Sequence, residues 1–314
     1  MLVREPERGV VMRFDPLSSL RGIVTVLNTP FDAEGRVDVG AVSRNVDYAI
    51  GAGVAGFLVP AMASEVGRLA ATERRLLVDA VLESAAGRVP VVGGASAPTR
   101  DERLERAREL LSAGCPCVLA AITWSTDEEY LADIEDLASL DPPCLMVQDW
   151  DVSGRGAPVA AIAEAFDRVA CFRSIKVEVV PAGAKYSEIL AATGGRMHVC
   201  GGWAVGQMIE GLDRGVHAFM PTGLHRAYAE ICRRHASGDR AGAAALFERI
   251  LPILAFSNQQ LDISIRFFKR LLWRQGLYPT PNVREPLEPF DSYHIRIADE
   301  LIERAIEIEG SLYN

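Results

Sequence analysis

The sequence predicts an α/β fold, a (β/α)8 TIM barrel with a C-terminal helical appendage, on three observations. Short apolar runs alternate with longer amphipathic segments from Gly22 to about His235. Eight such runs occur, the number that closes a parallel barrel. Beyond them no further strand is legible, and only helical periodicity remains. A doubly wound open sheet would want a glycine-rich dinucleotide turn after the first strand, and LNTPFDAEG is not one.

Residues 1–17 carry acidic residues and no continuous apolar stretch, and are expected to form a flexible N-terminal extension rather than a secretory leader. The barrel is assigned to 18–238, with strands predicted at 22–27, 56–60, 89–94, 117–122, 144–149, 172–177, 198–202 and 218–221. Val39, Val42, Val46 and Ala49 recur at three and four and make the first intervening segment a helix. Leu104, Ala107 and Leu110 do the same for the third. Thr72 and Thr99 are expected to open the second and third helices, and Gly53, Gly87 and Gly114 to close helices. Residues 239–314 form the helical region, with helices predicted over 239–256, 258–275 and 293–309 and the Pro-rich TPNVREPLEP between the last two. This region either packs on the barrel or serves oligomer contacts, and periodicity does not separate the two.

Hydrophobic residues make up 49% of the chain and charged residues 24%, so there is a core to bury and no case for extensive disorder. The 33 Lys and Arg against 42 Asp and Glu leave a net charge of −9, which argues against nucleic acid and anionic lipid as partners. A small anion remains possible, because local backbone N–H donors can hold one despite the global charge. The six cysteines are dispersed, several of them in apolar runs, and suggest reduced thiols and a cytoplasmic location. No stretch is long enough to cross a bilayer. No metal site is predicted. Cys115 and Cys117 lack a second pair or a nearby histidine. His198 and His217 start strands, at the wrong end of a barrel, while His225, His235 and His294 fall in helices.

A barrel's chemistry sits where strands end and βα loops begin. The sixth predicted strand ends in Ser174-Ile175-Lys176-Val177-Glu178, placing a lysine on an otherwise apolar strand. Desolvation there disfavours the ammonium and makes a free amine available for a carbonyl. Glu178 points to the same side while the strand persists, to orient, deprotonate or simply neutralise that amine. The bland alternative is a buried ion pair, or a lysine turned outward. The second strand leads into Ala61-Met62-Ala63-Ser64-Glu65, whose amides can approach a carboxylate if it is more than a tight turn. The fifth ends Gln148-Asp149-Trp150, where at most one of Gln148 and Asp149 points inward; Arg155 beyond is a clamp for a carboxylate or a solvated loop residue. Gly201-Gly202 after the seventh strand suit an anion-binding turn or close packing.

These residues resemble the dihydrodipicolinate synthase / N-acetylneuraminate lyase family. The likeness is carried by GIVTVLNTPF at 22–31, Gly51 to Gly56, the segment from Glu65 through Leu69 to Glu73-Arg74, Arg88-Val89-Pro90 with Gly93-Gly94, and Ser174-Ile175-Lys176, and it runs over about 20–310. It implies a barrel with C-terminal helices assembled as a homo-oligomer, dimer or tetramer, and a lyase or aldolase that takes a small-molecule 2-oxo acid through a lysine Schiff base. Lys176 falls on that lysine, and no metal or organic cofactor is implied. The chain departs from the pattern at its proton relay. Ala61-Met62-Ala63-Ser64-Glu65 stands where most members have Gly-Thr-Thr-Gly-Glu, Gln148-Asp149 where they have Tyr-Asn, and Thr123-Trp124 where a tyrosine pair is usual.

The expected site therefore has Lys176, Glu178, Gln148 and Asp149 as catalytic groups, with Glu178, Asp149 or Glu65 replacing the relay. Ala63, Ser64, Glu65, Arg155, Gly201 and Gly202 are the expected substrate-binding residues. Trp124, Trp150 and Trp203 suggest a pocket more apolar than one for pyruvate and a polar aldehyde. The competing reading is a catalytically silent barrel that binds a keto acid or serves as an assembly partner.

Overall fold

A computed structural model describes Leu17, residues 20–151 and residues 153–312. Eight parallel strands close on themselves in chain order, the eighth pairing with the first. They are β1 (Gly22–Val26), β2 (Gly56–Val59), β3 (Val91–Gly94), β4 (Cys117–Ala121), β5 (Leu145–Asp151), β6 (Phe172–Val179), β7 (His198–Gly201) and β8 (Ala218–Phe219). Between and after them lie α1 (Val39–Gly51), α2 (Ala71–Ala85), α3 (Arg100–Ala113), α4 (Asp127–Ala138), α5 (Val159–Arg168), α6 (Gly183–Ala192), α7 (Met208–Asp213) and α8 (His225–Ala236). The helical region follows as α9 (Arg240–Ser257), α10 (Leu261–Arg274) and α11 (Ser292–Gly310). The predicted extension lies outside the described residues except for Leu17, which is buried against the barrel interior.

Proline stands at three of the strand ends that fall short of expectation, in β2, β3 and β8, while β1, β4 and β7 each stop one residue early without one. β3 starts at Val91 rather than 89 because Pro90 has no N–H for the ladder, although its carbonyl still accepts from Phe57 N at 3.1 Å. β8 stops before Pro221 for the same reason. β5 and β6 run two residues further at their C-terminal ends than expected, and these extra rungs carry much of the candidate site. Thr72 does not cap α2. The helix begins one residue earlier, at Ala71, because the Glu73 carboxylate reaches back to Ala70 N at 2.8 Å. Thr99 does cap α3, accepting from Glu102 N at 3.3 Å, and Gly114 ends it with φ of 95°.

Strand parity builds two apolar layers. Ile175, Val177 and Val179 of β6 pack outward beneath the helices with Val147, Val199 and Phe219. The inward layer lower in the barrel holds Val24, Leu58, Val92, Leu119, Met146 and Cys200. The helical region packs on the barrel, with α9 lying against α8. Among the described residues no helix is long and apolar enough to cross a membrane.

Candidate active site

The inward residues of β5, β6 and β7 stack in rungs, because facing residues of paired parallel strands share a level. Met146, Ser174 and His198 form one rung, with Gln148, Lys176 and Cys200 above it. On the next, Trp150 lies opposite Glu178, and Gly202 follows on from β7. The long β6 thus presents Lys176 and Glu178 on one face, both nearly inaccessible to solvent, with Lys176 Nζ 3.1 Å from Glu178 Oε1.

Glu178 is the most heavily bonded group of the site. Its Oε1 also accepts from Trp203 N at 2.7 Å, and its Oε2 accepts from the Gln148 side-chain amide. Three donors fix its position at this depth. Gly202 makes room for it: a Cβ there would lie 1.9 Å from Glu178 Oε1. Cys200 shares the lysine's rung, but burial pushes its thiol up to about 12, so it remains protonated and offers no competing thiolate at neutral pH.

These groups face a cavity of about 530 Å³ at the barrel mouth. Pro60, Ala61, Met62 and Ala63 supply one wall and Trp150 and Trp203 another, while Asn258, Leu261, Ser264 and Phe268 close it from the helical region. The loop after β2 is held from below. Asn28 Nδ2 donates to Ala63 O at 2.6 Å, and Thr29 Oγ1 to Ser64 O at 2.6 Å. Arg68 and Arg106 reach the cavity on the side of the loops after β2 and β3. Arg106 donates to Ser96 O at 2.5 Å, and burial, with Arg74 nearby, lowers its pKa from the ordinary guanidinium value.

The cavity therefore gathers Lys176, Glu178, Gln148, Ala63 and Gly202 of the expected residues, and five others are displaced from the expected roles. Asp149 faces the helix layer, since it alternates with Gln148. It pairs with the buried Lys185 at 2.5 Å and accepts from Ala157 N at 2.9 Å, while desolvation raises its pKa. Arg155 is exposed and bonds Glu188 at 3.0 Å. Ser64 is buried under its own loop, with its hydroxyl donating to Leu27 O at 2.5 Å and accepting from Ala61 N at 2.9 Å. Glu65 borders the cavity, but its carboxylate is taken by Lys269 and by Arg284 N, the latter at 2.6 Å. Gly201 faces outward, where a Cβ would meet Phe219 and Tyr186. Trp124 is 38% exposed, its indole N–H on Asp127, and is not part of the cavity wall.

Sequence reasoning missed the cover from α9 and α10, the two arginines and the Trp203 amide. Ser264 in DISIRFF is a polar residue on a buried helix face, which was the one signal available. Arg106 had none, since α3 reads as a charged helix throughout.

Residues 19–124 match the dihydrodipicolinate synthetase family. The chain is 27% identical over 303 residues to the 4-hydroxy-tetrahydrodipicolinate synthase of Xanthomonas campestris pv. campestris, spanning 93% of this chain and 97% of that one. That family match spans about a third of the chain, while the likeness to the synthase runs over nearly all of it. The L-2-keto-3-deoxyarabonate dehydratase of Azospirillum brasilense is 28% identical over 283 residues, 85% of this chain and 88% of that one. The Ruminococcus gnavus sialic acid aldolase shares the fold at 15% identity with a TM-score of 0.83, over 94% of this chain and 99% of that one.

Proposed function

We propose that this protein is a member of the dihydrodipicolinate synthetase family and a lyase of the aldolase or dehydratase type that binds a 2-oxo acid as a Schiff base on Lys176, with Glu178 as its acid and base. The observation that carries this reading is the buried pair itself: an amine and a carboxylate 3.1 Å apart at the floor of a barrel-mouth cavity. The relatives named for a keto-deoxy sugar acid and for a sialic acid support the class of substrate.

Lys176 passes a proton to Glu178, and the freed amine attacks C2 of the 2-oxo acid. The C–N bond forms as the carbonyl π bond opens onto oxygen; one proton of the amine passes to that oxygen and Glu178 returns the other, so the C2–O bond breaks and the oxygen leaves as water. The resulting iminium is the electron sink. In cleavage, the C4 hydroxyl gives its proton to Glu178, the C3–C4 pair moves into the enamine and an aldehyde departs. Protonation at C3 and hydrolysis release the shortened acid and restore Lys176. The 3-10 turn Met62–Ser64 uses the Ser64 and Glu65 amides internally, on Ala61 O and Met62 O. The Met62 and Ala63 amides are the donors we assign to the substrate carboxylate. Gln148 holds Glu178 and has no titrating proton of its own.

Borohydride reduction in the presence of pyruvate and longer 2-oxo acids tests the proposal. An adduct mass on the intact chain is expected, mapping to the Lys176 peptide and vanishing in Lys176→Ala. No adduct with any acid, in a folded protein, would overturn it and favour a silent barrel.

A further inference from the structure

Resting on that Schiff-base reading, we infer that the preferred substrate carries an aryl group at C4, so that the aldehyde half is aromatic. The argument starts from register. Trp150 lies opposite Glu178 and two residues beyond Gln148, hence on the inward face of β5 and one rung above the reactive amine. Trp203 approaches from β7, its backbone N–H on Glu178 Oε1 at 2.7 Å. Both indoles line the cavity, and both are partly exposed. Two aromatic walls therefore flank the carboxylate that must reach the C4 hydroxyl.

Once the carboxylate, C2 and C3 are engaged by the loop after β2 and by Lys176, whatever C4 carries extends into the cavity that these two indoles line. The wall continues apolar with Met62, Met220 and Phe268. A cavity of about 530 Å³ lies in the ~300–1,000 Å³ range of sites for drug-sized ligands, with space well beyond a three-carbon acid. A planar ring gains offset or edge contacts with the indoles and loses little conformational freedom. A polyhydroxylated chain would desolvate its hydroxyls against carbon at the same level. The polar Asn258 and Ser264 belong to the cover, and Arg68, Ser96 and Arg106 to the side of the loops after β2 and β3, not to the two indoles beside the reactive pair.

The experiment uses the purified full-length chain with pyruvate for borohydride trapping. Two cleavage probes follow: 4-hydroxy-2-oxo-4-phenylbutanoate, read by benzaldehyde absorbance, and a 2-keto-3-deoxy sugar acid, read by aldehyde release. The phenyl probe is expected to exceed the sugar acid in kcat/KM by at least about 100-fold, the scale set by leaving several hydroxyls unpaired. Trp150→Ala and Trp203→Ala should each cut that ratio about tenfold or more, mainly through KM, while Trp150→Phe keeps most of it. Equal or better turnover of the sugar acid overturns the inference, as does an unchanged ratio in both alanine variants. Pyruvate trapping separates the two levels: trapping without aryl preference sinks this inference alone, whereas no trapping with any acid sinks the Schiff-base reading beneath it.

Discussion

Gly202 shows how a single absent side chain shapes the site. The Glu178 carboxylate occupies the volume a Cβ would take, and the neighbouring Trp203 amide bonds the same oxygen. Gly202→Ala should displace that oxygen from Lys176 and lower kcat by about 100-fold, the usual cost of an ångström-scale misplacement, with circular dichroism unchanged. Full activity in this variant would remove Glu178's position from the mechanism. Lys176 and Glu178 were legible in the sequence because a charge two residues from another charge, on an apolar strand, must share its face. Parity also separated Gln148 from Asp149 but left open which one faced in, and the register with β6 decided for Gln148. Arg155 and Ser64 were not legible in this way. Each sits in a loop, where no period says which side chain turns to the cavity and which to a neighbour.

At the level of elements, apolar periodicity placed every strand, and its errors fall at strand and helix ends, some of them where proline or a capping carboxylate acts. The helices also hold titratable groups away from the candidate site. His225, the first residue of α8, is fully buried, with Nδ1 3.3 Å from Thr25 Oγ1, Nε2 3.2 Å from Asn45 Oδ1 and the Tyr48 ring edge-on at 5.8 Å. Burial, and secondarily the Arg226 charge, pull its pKa from 6.5 to about 4. Between those values the unfolded chain binds more protons than the folded one, so stability falls as pH falls through this window. We expect His225 to contribute about 2 kcal/mol of the stability lost between pH 7 and pH 5. Urea unfolding at the two pH values, with His225→Gln as the comparison, measures it. An identical pH dependence in both proteins would show that the histidine does not stay neutral in the fold.

Across the whole molecule, the helical region covers the barrel mouth and is fastened there by a buried ion pair. Glu65, just after β2, meets Lys269 of α10 across 204 residues of chain, and Lys269 Nζ also donates to Asn282 O at 2.7 Å. Burial brings the Lys269 pKa down to about 8 even though the Glu65 charge opposes the shift. Removing one charge strands the other, so Glu65→Gln should cost about 3–5 kcal/mol in urea unfolding. A loss below about 1 kcal/mol would show that water or a neighbour replaces the partner. The sequence by itself determined the eightfold alternation, the parity of each strand and the helical region, because each follows from side-chain periodicity along a local stretch of backbone. Only the tertiary structure decided that Glu65 clamps the cover, that Asp149 serves the helix layer, and that Trp150 and Trp203 line one cavity with Glu178. Those outcomes depend on barrel closure and on contacts between residues far apart in the chain, and no local period encodes which distant partner a buried charge will meet.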